Sequence, residues 1–101
     1  MPEFRLSPEA ERDLDNIWLY IARSSGSLEI ANQVTDRITE HFWLLARHPY
    51  IGRRRDRDLR PGLRSFPADE YVILYRVDDG EVVLVLHIFH GRQDIEALTG
   101  E

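Results

Sequence analysis

The amino-acid sequence predicts a two-layer α+β fold in the order β-α-α-β-β-β, with a helix hairpin packed on one face of a mainly antiparallel sheet. Three observations lead there. Two stretches of helical period follow one another near the start, and segments of strand period fill the second half. The chain has 101 residues, which suits one layer of helices on one sheet in a single domain, residues 1–101.

The elements follow in order. Phe4 and Leu6 alternate with Arg5, as in a short strand with one buried face. Ser7-Pro8-Glu9 opens a helix: Ser7 caps it, Pro8 fits its first turn and Glu9 complements its dipole. Ala10, Leu14, Ile17, Trp18 and Ile21 form its apolar stripe, and Ser24-Ser25-Gly26 ends it. A second helix starts near Ser27, carries the stripe Ala31, Val34, Ile38, Phe42 and Leu45, and stops at His48-Pro49. So short a turn between two helices implies an antiparallel hairpin. Tyr50 to Gly62 reads as a loop, and Leu63 to Phe66 as a short strand ended by Pro67. Tyr71 to Val77 is the next strand, Asp79-Gly80 a tight hairpin turn, and Glu81 to Phe89 the return. Strict alternation puts Val82, Leu84, Leu86 and Ile88 on one face of that last strand and Val83, Val85 and Phe89 on the other. Apolar on both faces, it is expected to be central. Asp94 to Leu98 is read as a short final turn.

Charge and composition narrow the function. The net charge is −5, and all 13 basic residues are arginine. An acidic chain is a poor general nucleic-acid binder, because phosphate neutralisation dominates that affinity. Between Arg53 and Arg64, however, six arginines stand against Asp56 and Asp58, a local +4 that leaves −9 to the rest. This run is either a solvated loop or a site for an anionic partner, since arginine forks suit phosphate and carboxylate. The absence of cysteine excludes disulfides and thiolate metal sites, and it suits a reducing, cytoplasmic setting. Met1 to Arg5 does not read as a signal peptide, and the longest apolar run, Val82 to Leu86, is too short for a bilayer.

Few residues announce chemistry. His87 and His90 are three apart in a strand, which puts them on opposite faces and excludes direct chelation of one ion. His87 shares a face with Val85 and Phe89 in this reading and is expected to be packed and hydrogen-bonded; His90, at the strand end, is expected to be accessible. His41 and His48 suit the end of the second helix and receive no role. Trp18 lies on its stripe and reads as core. Trp43 and Leu44 widen the apolar surface of the second helix, as Tyr20 does that of the first. Such residues mark either a partner contact or a broad core. Arg64, Arg76 and Arg92 form a cationic cluster if they share the open sheet face; otherwise each pairs with a nearby carboxylate. No phosphate loop, Ser/His/Asp signature or telling carboxylate pair is present.

Several segments, taken in order, resemble the RelE/ParE superfamily of toxins. They are Leu6-Ser7-Pro8-Glu9-Ala10 with Asp13-Leu14-Asp15-Asn16-Ile17-Trp18, and His48-Pro49-Tyr50-Ile51-Gly52-Arg53. Leu59-Arg60-Pro61-Gly62-Leu63-Arg64-Ser65-Phe66 and Tyr71-Val72-Ile73-Leu74-Tyr75 follow, then Val85-Leu86-His87-Ile88-Phe89-His90-Gly91-Arg92-Gln93-Asp94. The details are similar to the ParE branch. That branch implies a toxin of a type II toxin–antitoxin pair that poisons DNA gyrase and is neutralised by a ParD-type antitoxin. The RelE branch implies cleavage of messenger RNA on the ribosome, commonly with lysines at the site. This chain has no lysine, and an arginine stays protonated where a lysine can act as base. The resemblance therefore implies binding rather than catalysis, without cofactor or metal and without direct nucleic-acid contact outside the target complex. It leaves two other readings, RNA cleavage assisted by His90 and an interaction module without toxicity. The expected target-binding residues are Arg60, Arg64, Arg76, His90 and Arg92, on the open sheet face and the adjoining C-terminal segment. The expected antitoxin-binding residues are Tyr20, Trp43 and Leu44 on the helix hairpin.

Overall fold

The computed structural model describes residues 1–92; the turn expected from Asp94 to Leu98 lies outside them. The elements are β1 (Phe4–Leu6), α1 (Pro8–Ser25), α2 (Leu28–Arg47), β2 (Arg53–Arg54), β3 (Arg64–Ala68), β4 (Tyr71–Asp78) and β5 (Val82–His90). Both helices begin where their caps predict. Ser7 Oγ accepts the Ala10 N–H at 3.0 Å, and Ser27 Oγ accepts the Ile30 N–H at 3.1 Å. Gly26 closes α1 in the left-handed region at φ 69°.

The five strands form one sheet in the order β1-β5-β4-β3-β2. β1 runs parallel to β5, and the other three pairings are antiparallel. The stripes of α1 and α2 cover one face, where Ala10, Ile17, Ile38, Phe42 and Leu45 meet Ile73, Tyr75, Val83, Val85 and Ile88. Among the described residues, the other face is covered only where the loop after β2 folds across it. There Leu63, Leu74 and Phe89 form a small cluster with Leu59, Val72 and Leu86.

Four details differ from the sequence expectation. Arg53–Arg54 is not loop but an edge strand, paired with Arg64 and Ser65. Pro67 does not end β3; it sits inside it, opposite Val72, beyond the reach of β2. On that unpaired edge its missing N–H costs no ladder bond. β5 is flanked by strands on both sides, but β4 occupies the middle, and Leu84 and Leu86 stay half-exposed on the open face.

The fourth difference moves the histidines. Tyr75 pairs with Val85 and Leu74 with His87, so Leu86 is an extra residue in β5. This bulge switches the parity of the strand. Before it Val83 and Val85 face the helices; after it Ile88 does. His87 therefore lies with Phe89 but opposite Val85, and Ile88 is on the helix face rather than with Leu84. His90 pairs with Tyr71, whose ring belongs to the helix-side core.

Candidate functional site

The bulge places His87 on the open face, on the wall of a 320 Å³ hollow. Leu63, Leu74 and Leu86 floor it, and Glu9, Arg60, Pro61 and Arg76 surround it. Arg76 Nε donates to Asp78 at 2.7 Å, which fixes its direction along β4. His87 Nδ1 lies 3.2 Å from Asp13 Oδ2. A carboxylate only accepts, so Nδ1 carries the proton and Nε2 is left for another partner. The same Asp13 oxygen accepts the Ile88 N–H at 2.9 Å. β1 ends at Leu6, opposite Val85, and from there α1 closes the β5 edge with side chains: Ser7 Oγ donates to Leu86 O at 2.8 Å, and Asp13 takes Ile88.

The sequence-predicted target residues do not all meet in this hollow. Arg60 and Arg76 do. Arg64 pairs with Tyr75 and so projects to the helix side of the sheet, not to the open face. Its guanidinium donates to Tyr50 O at 3.2 Å and Gly52 O at 3.0 Å and lies over the Tyr50 ring, 5.2 Å from its centre. The expected cluster of Arg64 with Arg76 is therefore absent, because Arg64 shares the face of its partner Tyr75, and Tyr75 and Arg76, successive in β4, face opposite ways. His90 also moves to the helix side, for the reason given by the bulge. Arg92 is exposed in the turn after β5, its N–H donating to His90 Nδ1 at 3.2 Å. Sequence reasoning missed the Asp13–His87 pair. Its signal was hidden, because β5 is apolar at both parities and shows no alternation that a bulge could interrupt.

The arginine run is internally braced. Asp56 accepts from Arg54 and from the Gly62 N–H at 2.8 Å; the Gly62 amide, then Arg54, hold its carboxyl below the ordinary 3.8. Arg55 binds Asp58 through two nitrogens and Ser65 Oγ at 3.0 Å. The hydrogen bond from Arg55 lowers the Asp58 carboxyl in turn. The side chains of Arg53 and Arg57 make no hydrogen bond or ion pair among the described residues and carry the outward charge of the loop.

A second concavity, of 450 Å³, opens on the helix side between α1 and the ends of β4 and β5. Tyr20, 67% exposed, stands at its rim with Tyr71, Asp13 and Asn16, over Ile17 and Ile88. Burial, then the charge of Glu70 and the nearby Tyr20, raise the Tyr71 hydroxyl above its ordinary 10.0. The other two antitoxin candidates lie elsewhere. Trp43, 49% exposed, stands edge-on to Phe4 with ring centres 4.8 Å apart, and Leu44 is half-buried. Phe4 pairs with Val83, whereas the Tyr20 cleft reaches His90. At about 3.3 Å per residue, Val83 and the Ile88-to-His90 wall of the cleft are about 17–23 Å apart along β5, so the candidates do not form one patch. Trp18, expected in the core, is half-buried and donates Nε1 to Asn32 Oδ1 at 2.7 Å, joining the two helices.

This architecture and the motifs it organises have known counterparts. The chain is similar to Toxin ParE3 of Caulobacter vibrioides, 37% identical over 89 residues, covering 88% of this chain and 86% of that protein. It is also 33% identical over 84 residues to Toxin RelE3 of the same organism, covering 83% of this chain and 89% of that one. Among solved structures, a chain of the chromosomal ParDE toxin–antitoxin system from P. aeruginosa shares the fold. Its TM-score is 0.75 at 24% identity, over 89% of this chain and 96% of that one. The family model described as the ParE toxin of the type II toxin–antitoxin system, parDE, matches residues 4–95, from the first residue of β1 to beyond the end of β5. With a match of that extent, the chain belongs to the ParE toxin family of type II toxin–antitoxin systems.

Proposed function

We propose that this toxin acts by binding in the cytoplasm, holding DNA gyrase in its cleaved, DNA-bound state, and that a ParD-type antitoxin laid on the helix side silences it. The observation that supports this most is the open-face hollow, a shaped apolar floor with Arg60 and Arg76 at its rim. A poison needs only to bind the cleaved state better than the resealed one; the difference in affinity shifts the equilibrium with no chemistry of its own. Two arginine forks beside an apolar floor suit a surface that recognises a protein–DNA junction rather than free nucleic acid.

The test is expression of the wild-type chain and of Arg60→Ala and Arg76→Ala in a bacterial host. The wild type should arrest growth with accumulated gyrase–DNA breaks, and each variant should lose the arrest while keeping its fold and its antitoxin. Full toxicity in both variants would remove the hollow from the target site.

One arrangement favours a second reading, cleavage of messenger RNA. Asp13 orients His87 on the wall of the same hollow that holds Arg60 and Arg76. A histidine set by a carboxylate can serve as general base, and arginines can stabilise a phosphorane. His87, not His90, is then the histidine to remove. Specific cuts in ribosome-bound messenger RNA that vanish in His87→Ala, without gyrase–DNA breaks, would replace the first reading with this one.

A further inference from the structure

The helix-side cleft carries a more specific message about its partner. Asp13 has two carboxylate oxygens in different circumstances. Oδ2 accepts from Ile88 N–H and His87, whereas Oδ1 accepts no hydrogen bond among the described residues. The side chain is neither buried nor free, at 29% exposure, and it lines the cleft beside the amide of Asn16 and the rings of Tyr20 and Tyr71. Among the described residues lining this cleft, Asp13 is the one that carries a full negative charge, and it sits in the part of the chain that holds −9 outside the arginine run. A purely apolar occupant would strip water from Oδ1 and give nothing back. An acidic one would meet like charge. A long basic side chain suits this lining: its stem can lie on Ile17 and Ile88 while its cation meets Oδ1.

We propose that the antitoxin presents an arginine or lysine, flanked by apolar residues, that enters this cleft and pairs with Asp13. This rests on the reading that an antitoxin binds the helix side. Its anchor is the Asp13–Tyr20–Tyr71 corner, in place of the surface around Trp43.

The test uses the full chain and the antitoxin encoded beside it, with affinity measured calorimetrically at low and at moderate ionic strength. Asp13→Asn keeps an oxygen for the Ile88 amide but removes the charge. It should weaken binding about tenfold at low salt, where close charge pairs are least screened, and flatten the salt dependence. Asp13→Glu, which restores the charge, should recover most of the loss. Glu11→Gln, a neighbouring first-turn carboxylate that does not line the cleft, should bind as wild type. Wild-type affinity and salt dependence in Asp13→Asn overturns the proposal while leaving the antitoxin reading intact. A salt-independent loss shared by the Asn and Glu variants also overturns it, since Asp13 would then act only on the fold. Failure of the wild-type chain to bind the antitoxin at all overturns both.

Discussion

Tyr75 serves two chain segments with a single hydroxyl. It accepts the Gly52 N–H at 2.9 Å and donates to Pro49 O at 2.8 Å, with the side chain fully buried. Burial, its largest cause, raises this hydroxyl above the ordinary 10.0. A Cβ at residue 52 would collide with the Tyr75 hydroxyl, so glycine is required there by close approach. Tyr75→Phe leaves a buried amide and a carbonyl without partners and should cost about 1–3 kcal/mol, read from the urea midpoint. The loop from Pro49 to Gly52, released, should lose amide protection first. The sequence showed Tyr75 only as one residue of the β4 strand, and Arg64 as a target-binding arginine of the open sheet face. That the two jointly hold one loop depends on the pairing of Arg64 with Tyr75, a register that no local pattern records.

Among elements, the helices were the most legible and the last strand the least. Ser7, Pro8, Gly26 and Ser27 mark the helix ends because capping is local chemistry, decided within a few residues. Ser7 nevertheless does something beyond the cap. Its hydroxyl accepts from Ala10 and donates to Leu86 O, which pins the start of α1 to the bulge in β5. Ser7→Ala should therefore exceed an ordinary capping loss and cost about 2 kcal/mol in chemical denaturation. Ser7→Asp, which restores the acceptor but not the donor, should recover only part of that. The bulge itself was not legible. A strand apolar at both parities looks the same with or without one extra residue, and the switch is visible only through the partners Tyr75–Val85 and Leu74–His87. The two-residue β2 escaped for a related reason: it is set by pairing with β3, not by its own Arg53-Arg54.

Across the molecule, the layering and the strand directions followed from the sequence, and the assignment of residues to faces did not. Of the five residues expected at the target surface, Arg60 and Arg76 meet on the open face, while Arg64 and His90 stand on the helix side. His87 is hydrogen-bonded as expected but stands at the open-face hollow, and His90 lines the helix-side cleft. The closure of β5 by α1 has a consequence for the protein in a crowded cell. A strand as apolar as this one, with its amides turned outward, is a template for another chain's strand. Where β1 stops, a carboxylate from a helix occupies the Ile88 amide instead, so that edge offers no free donor at this position. Asp13→Ala, unlike Asp13→Asn, uncovers the donor and should yield soluble oligomers that grow with concentration, seen by light scattering well below the unfolding temperature. Selection on this aspartate would then act through the amount of soluble toxin a cell can hold, before any partner or target is met.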